Sequence, residues 1–281
     1  DGKKIKFANS TNDGDSFHTA VNLSVSAGSL TARDPQIANS TNGRAYVVWH
    51  EGTSILFKNS TSNGNFNLGA PTPDAAATLG VADNAGTGGT SSPQIAVSGS
   101  NVYSVWKKSS DIFFANSTND GDSFHTAVNL SNSGTAELPQ VSASGNNVYV
   151  IWHDTSGKIY FRASTNKGDN FGPVTPLSTT ALTTASTGNP QITSFGNSVH
   201  TIWDTSSSSV DGDIFFKSST NNGSTFCNSN NISNDAGNSA SPQLAISGTN
   251  LYALWRNNTS SAVDSEVFFK SGSITTECIL F

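Results

Sequence analysis

"FANSTNDGDSFHTAVNLS" occupies Phe7–Ser24, and the same eighteen residues return unchanged at Phe114–Ser131, 107 positions later. A segment this polar buries too little apolar surface to fold alone, so its recurrence marks a structural unit used more than once. Five Trp residues set the period. "AYVVW" ends at Trp49, "NVYSVW" at Trp106, "NVYVIW" at Trp152, "SVHTIW" at Trp203 and "NLYALW" at Trp255, spaced 57, 46, 51 and 52 apart. A Pro-Gln pair stands thirteen or fourteen residues before each Trp, at Pro35, Pro93, Pro139, Pro190 and Pro242. After each Trp comes a third apolar run ("ILFKNS", "DIFFANS", "KIYFRAS", "DIFFKSS", "EVFFKSG"), and a weaker fourth follows, as in "AVNLS" and "TPLS".

Four short strands in about 50 residues is the period of a propeller blade. The sequence therefore predicts an all-β β-propeller of four-stranded blades, five favoured and six possible. It forms one domain over 1–281, with repeat units at about 1–24 (partial), 34–72, 92–131, 138–178, 189–233 and 241–281. An immunoglobulin-like array would need about seven strands per unit and a longer period. The chain opens in mid-repeat, at "KKIKFANS". Ring closure by the N-terminal segment predicts that "TAVNLS" completes the blade begun at Pro242, while an upstream start would make six blades natural.

Composition agrees. Of the 281 residues 35% are hydrophobic and only 12% charged, with Ser, Thr, Asn and Gly throughout, which suits short strands and tight turns. The net charge of −6 carries no basic stripe, so nucleic acid is not an expected partner, and no apolar run is long enough for membrane insertion by a helix. The absence of Met reads as a processed chain or a fragment. Cys227 and Cys278 permit one bridge, expected to tie the C-terminal tail to the preceding blade. With ten sequons (Asn9, Asn22, Asn39, Asn59, Asn116, Asn129, Asn222, Asn231, Asn257 and Asn258), this suits an extracellular or cell-surface glycoprotein.

The centre of the opening phrase, "STNDGDSF" at Ser10–Phe17, resembles the Asp-box (BNR repeat) of sialidase-like propellers. It recurs at Ser117–Phe124, at Ser164–Phe171 ("STNKGDNF") and at Ser219–Phe226 ("STNNGSTF"), with a shorter version, "STSNGNF", at Ser60–Phe66. Asn12, Asn119, Asn166 and Asn221 stand where the family has Asp. The resemblance implies that these are perimeter turn-stabilisers, a role Asn can fill through local side-chain bonds to the backbone. Lys167 inside one copy argues against calcium there.

In a repeat protein function is sought where one blade departs from the others. The residue after each Trp varies, as His50, Lys107, His153, Asp204 and Arg256, with Glu51, Lys108 and Asp154 beside them. These are expected at the start of the loops after each second strand, on the ligand face of sialidase-like propellers. Arg33, Asp34, Glu137 and a long loop from Thr72 to Ser92 share that face. No short His spacing marks a metal site, so metal and cofactor are both read as none.

Sialidase catalysis, as the resemblance describes it, needs three Arg around a carboxylate. The chain has four in all, and Arg44 and Arg162 fall in a hairpin and on a third strand. The expectation is a non-catalytic, secreted or cell-surface binding or structural module for a glycan or surface protein, with self-association possible and sialidase-like glycoside hydrolysis as the alternative.

Overall fold

The computed structural model describes residues 4–24, 31–61, 66, 77–81, 92–178, 188–205, 212–234, 237–258 and 265–274. They are all-β, of the β-propeller class, built from four-stranded antiparallel blades. Among them are four sheets of four strands, one of three and a ribbon of two. By proximity the chain forms two compact units, 1–109 with 113–129, and 110–112 with 130–281.

The first unit opens with the ribbon, β1 (Lys6–Phe7) paired with β2 (Val21–Asn22). A first sheet follows in the order β3 (Ala32–Asn39), β4 (Ala45–Glu51), β5 (Ser54–Asn59), β6 (Ala77–Val81). The second comprises β7 (Gln94–Ser98), β8 (Asn101–Lys108), β9 (Asp111–Ser117) and β10 (Val128–Asn129). The other unit holds β11 (Ala136–Ser144), β12 (Asn147–Asp154), β13 (Ile159–Ser164) and β14 (Thr175–Pro176). Next come β15 (Gln191–Phe195), β16 (Ser198–Asp204), β17 (Ile214–Ser219) and β18 (Asn230–Asn231), and a last sheet of β19 (Asn238–Ser247), β20 (Asn250–Asn258) and β21 (Ser265–Ser273).

Alternation along each second strand divides its side chains between two sheet faces. In four of these strands the Trp faces the element that precedes it. Trp49 packs with Ile5 and Leu23 of the ribbon, Trp106 with Tyr46, Val48, Ile55 and Phe57, and Trp203 with Tyr149, Ile151, Ile159 and Phe161. Trp255 meets Ile202, Ile214 and Phe216 in the same way. The "FF" run splits likewise. Phe215 stacks on Trp203 at 6.1 Å while Phe216 is buried on the opposite face.

Three expectations are corrected. Val21–Asn22 pair with Lys6–Phe7, so "TAVNLS" does not complete the blade begun at Pro242. The stretch after Thr72 is not wholly loop, because Ala77–Val81 pair with β5 and so extend that repeat beyond residue 72. The second strands also run on past Trp, to Glu51, Lys108, Asp154, Asp204 and Asn258. The residues expected to open loops are thus strand residues. Cys278 lies outside the described residues, and with it the expected bridge to Cys227.

Candidate functional site

The first strands break their ladder at Pro. Between Arg33 and Gln36, Glu137 and Gln140, and Ala240 and Gln243 the register shifts, as it must where a residue without an N–H enters a ladder. The residue before Pro takes the left-handed conformation, with φ 53° at Asp34, 44° at Leu138 and 55° at Ser241. Beyond the bulge, pairing resumes and sets Arg33 opposite His50, Glu137 opposite His153, and Ala240 opposite Arg256. The bulges therefore bring the variable post-Trp residues against residues of the first strands.

In the first unit His50 and Glu51 are buried and Arg33 is half-buried. Glu51 Oε2 accepts the Trp49 indole N–H at 2.8 Å. Burial and the neighbouring Arg33 guanidinium lower the His50 pKa, against a smaller opposing pull from Asp34. Lys107 and Lys108 are half-buried, and the Lys108 ammonium lies 5.3 Å from the Phe113 ring centre.

The second unit holds the denser group. His153 is buried, with Nδ1 2.9 Å from the Asp154 carbonyl oxygen. A carbonyl only accepts, so Nδ1 carries the proton and Nε2 the lone pair. Burial lowers the His153 pKa, opposed by the Asp154 carbonyl bond and by the charges of Glu137, Asp154 and Asp204. Asp204 is fully buried and accepts from Asn189 N at 3.2 Å, Asn189 Nδ2 at 2.9 Å and Ser241 N at 2.8 Å. It thereby joins two successive sheets. Burial raises its pKa despite those bonds and His153. Burial also works to raise Asp154, but bonds from the Ser156 hydroxyl and N–H, the Lys158 N–H and the Tyr160 hydroxyl outweigh it and hold the carboxyl below its ordinary range. Arg256 is exposed.

Among the described residues no group of three or more His, Cys, Asp or Glu has the geometry to hold a metal ion.

The box turns share one bonding scheme. Asn119 Oδ1 accepts the Ser123 N–H at 3.1 Å and the Ser117 hydroxyl at 2.8 Å, and Ser117 Oγ accepts the Gly121 N–H at 3.0 Å. Asn12, Asn166 and Asn221 accept the equivalent N–H groups of Ser16, Asn170 and Thr225. Two of the turns also reach the preceding sheet, with the Tyr46 hydroxyl donating to Asp120 Oδ1 at 2.9 Å and that of Tyr149 to Asn222 Oδ1 at 3.3 Å. This accounts for the Tyr three before Trp. His200, in the same slot, stacks on Phe216 at 6.1 Å, and neither ring nitrogen has a hydrogen-bond partner.

Between two such turns in the second unit lies a concavity of about 380 Å³, lined by Phe161, Thr165, Asn166, Asn170, Phe171 and Asn222. Sequence reasoning missed it, because its walls come from turns some 55 residues apart. Among the sequon residues, Asn22 and Asn39 are exposed, Asn9, Asn129 and Asn231 half-buried, and Asn116 and Asn257 buried. Half-buried Asn59 donates to the Asp120 carbonyl at 2.8 Å, and Asn222 accepts from Asn147 at 3.1 Å.

No family model and no curated protein matches the chain. Among solved structures it is similar to the catalytic domain of a GH62 α-L-arabinofuranosidase from Coprinopsis cinerea, at 12% identity over 84% of this chain and 89% of that one, TM-score 0.44. A GH43 endo-arabinanase from Bacillus licheniformis matches at 13% over 86% and 94%, TM-score 0.44. An α-L-arabinanase from Penicillium chrysogenum complexed with arabinobiose matches at 13% over 83% and 79%, TM-score 0.46. These are remote likenesses of fold.

Proposed function

We propose that the chain is a non-catalytic carbohydrate-binding module of an extracellular or cell-surface protein. One observation carries this reading: three carboxylates at the strand ends serve as acceptors inside the fold. Glu51 bonds to Trp49, Asp154 holds its own hairpin, and Asp204 joins two sheets. A glycosidase needs two carboxyl groups at the scissile bond, one to donate a proton and one to attack or activate water. Carboxylates spent on the scaffold do neither. The concavity between box turns, with three Asn side chains and the half-buried Phe171 ring, has the size and mixed polarity of a small-ligand site and suits a neutral sugar.

Calorimetry with arabinobiose, cellotriose and a sialyl-oligosaccharide tests this. Binding of a neutral sugar is expected, weakened about tenfold by Asn170→Ala, which removes one amide and costs about one hydrogen bond. Absence of binding to any neutral oligosaccharide would count against the module.

A second reading, glycoside hydrolysis, has in its favour the grouping of Glu137 and Asp204 about His153. Release of reducing sugar that disappears in Glu137→Gln would establish it over the first. Sialidase turnover is not expected. Arg162 donates to the carbonyls of Leu130, Phe171 and Gly172, so its guanidinium is committed to the fold. Turnover of a fluorogenic sialoside lost on Arg256→Ala would overturn that.

A further inference from the structure

The residue before the first serine of each box turn changes along the chain: Asn9, Asn59 and Asn116, then Ala163 and Ser218. In the first unit Asn59 shows what the asparagine does. Its Nδ2 donates to the Asp120 carbonyl at 2.8 Å and lies 3.7 Å from where a Cβ of the buried Gly121 would stand. In the second unit the same place, 3.7 Å from the corresponding position of Gly223, is held by the Ala163 methyl. Gly223 is only half-buried. The space that the Asn59 carboxamide fills in one unit is thus part of the concavity in the other, which Ala163 and Asn222 both line.

Two hydrogen-bonding groups are left over there. The Asn222 side chain is engaged by Asn147 and Tyr149, and its main-chain carbonyl, the counterpart of that of Asp120, has no donor among the described residues. The second group is Asn166 Nδ2. In the other three turns this amide nitrogen donates to the hydroxyl four residues on, from Asn12 to Ser16 at 2.9 Å, from Asn119 to Ser123 at 3.0 Å and from Asn221 to Thr225 at 2.8 Å. Asn170 replaces the hydroxyl residue here, so among the described residues Asn166 Nδ2 has no such acceptor, although Asn166 Oδ1 still accepts the Asn170 N–H at 3.1 Å. Both departures from the repeat fall on the walls of one concavity.

We propose that this concavity takes a sugar bearing an acetamido group, an inference that rests on the carbohydrate-binding reading above. A secondary amide presents one N–H donor and one carbonyl acceptor, the complement of the Asn222 carbonyl and of Asn166 Nδ2. Its N–H takes the part that Asn59 plays in the first unit, and its methyl meets the apolar wall of Ala163, Phe171 and Pro173. A hydroxyl in that place brings one oxygen and no methyl, so the apolar wall stays in water.

Calorimetry with N,N′-diacetylchitobiose and cellobiose, which differ only in carrying acetamido or hydroxyl groups, tests the proposal. The acetamido sugar is expected to bind about tenfold tighter or more, the worth of one to two hydrogen bonds. Ala163→Asn, which installs the residue of three other repeats, places the chain's own amide in the slot and should cancel that preference with the fold kept. Asn166→Asp retains the oxygen that holds the turn and removes the donor, so it should narrow the preference too, and it is read alone if the first variant does not fold. Equal binding of the two sugars, or a preference that survives both variants, overturns this inference and leaves the carbohydrate module standing. If neither of these sugars, nor arabinobiose, nor cellotriose binds, the module itself fails and this inference with it. An acetylated dipeptide amide that binds as tightly as the diacetylated sugar would show that the site reads a peptide, and would overturn the proposal as well.

Discussion

His200 shows how one side chain can tie stability to pH. It occupies the slot that Tyr holds at positions 46, 103 and 149, is fully buried, and burial lowers its pKa to about 4 against 6.5 for the free group. The folded state therefore binds the proton less readily than the unfolded one. Its contribution is present in full above about pH 6.5 and is lost as pH falls toward 4, at most about 3 kcal/mol over that window. His200→Tyr restores the side chain used in other repeats and removes this titration. Denaturant midpoints measured at intervals between pH 7 and 4 should fall less steeply for the variant. Parallel curves would mean that His200 is not the group responsible. At the same scale Asn119→Ala deletes the acceptor of the Ser123 N–H and should cost about 0.5–2 kcal/mol in thermal or denaturant unfolding, with sugar affinity unchanged.

At the scale of the element, the box turn is as much a clamp between sheets as a loop. Gly121 and Gly223 sit at φ 83° and 76°, and a Cβ on either would come within 2.5 Å of Phe57 or Phe161 of the preceding sheet. Phe124 and Phe226 meet the same two rings edge-on, at 4.8 and 4.9 Å. Gly223→Ala meets both a backbone penalty and an overlap with a ring buried in the core. A loss of about 2–4 kcal/mol is expected, well above the effect of the same change at Gly196, where a Cβ meets nothing within 4 Å and only the positive φ is penalised. Equal losses at the two sites would show that the close approach does not matter. The Pro bulges act over a similar span. They break the ladder so that Glu137 meets His153 and Arg33 meets His50, which makes the candidate site a product of strand irregularity.

Over the whole molecule, acidification acts on His50, His153 and His200 together, since burial lowers all three. Each favours the folded state only while neutral. Stability should therefore fall between pH 6.5 and 4 by more than His200 alone accounts for, with the raised Asp204 carboxyl as the opposing group. Chemical denaturation across that range measures it, and a flat profile would contradict the burial of these imidazoles.

What the sequence determined by itself is the repeat. A Trp every 50 residues or so, a Pro-Gln pair before it and an aromatic run after it report strand alternation, which is local and therefore legible. The box turns were legible for the same reason, because their bonds join residues two to four apart. The tertiary structure decided what depends on residues far apart in the chain. His50, Glu51, His153 and Asp204 read as loop charges, yet they are buried strand residues, because whether a polar side chain meets water depends on the neighbouring strands and sheets. The bonds that join Asp204 to Ser241, and Tyr46 to Asp120, span 37 and 74 residues.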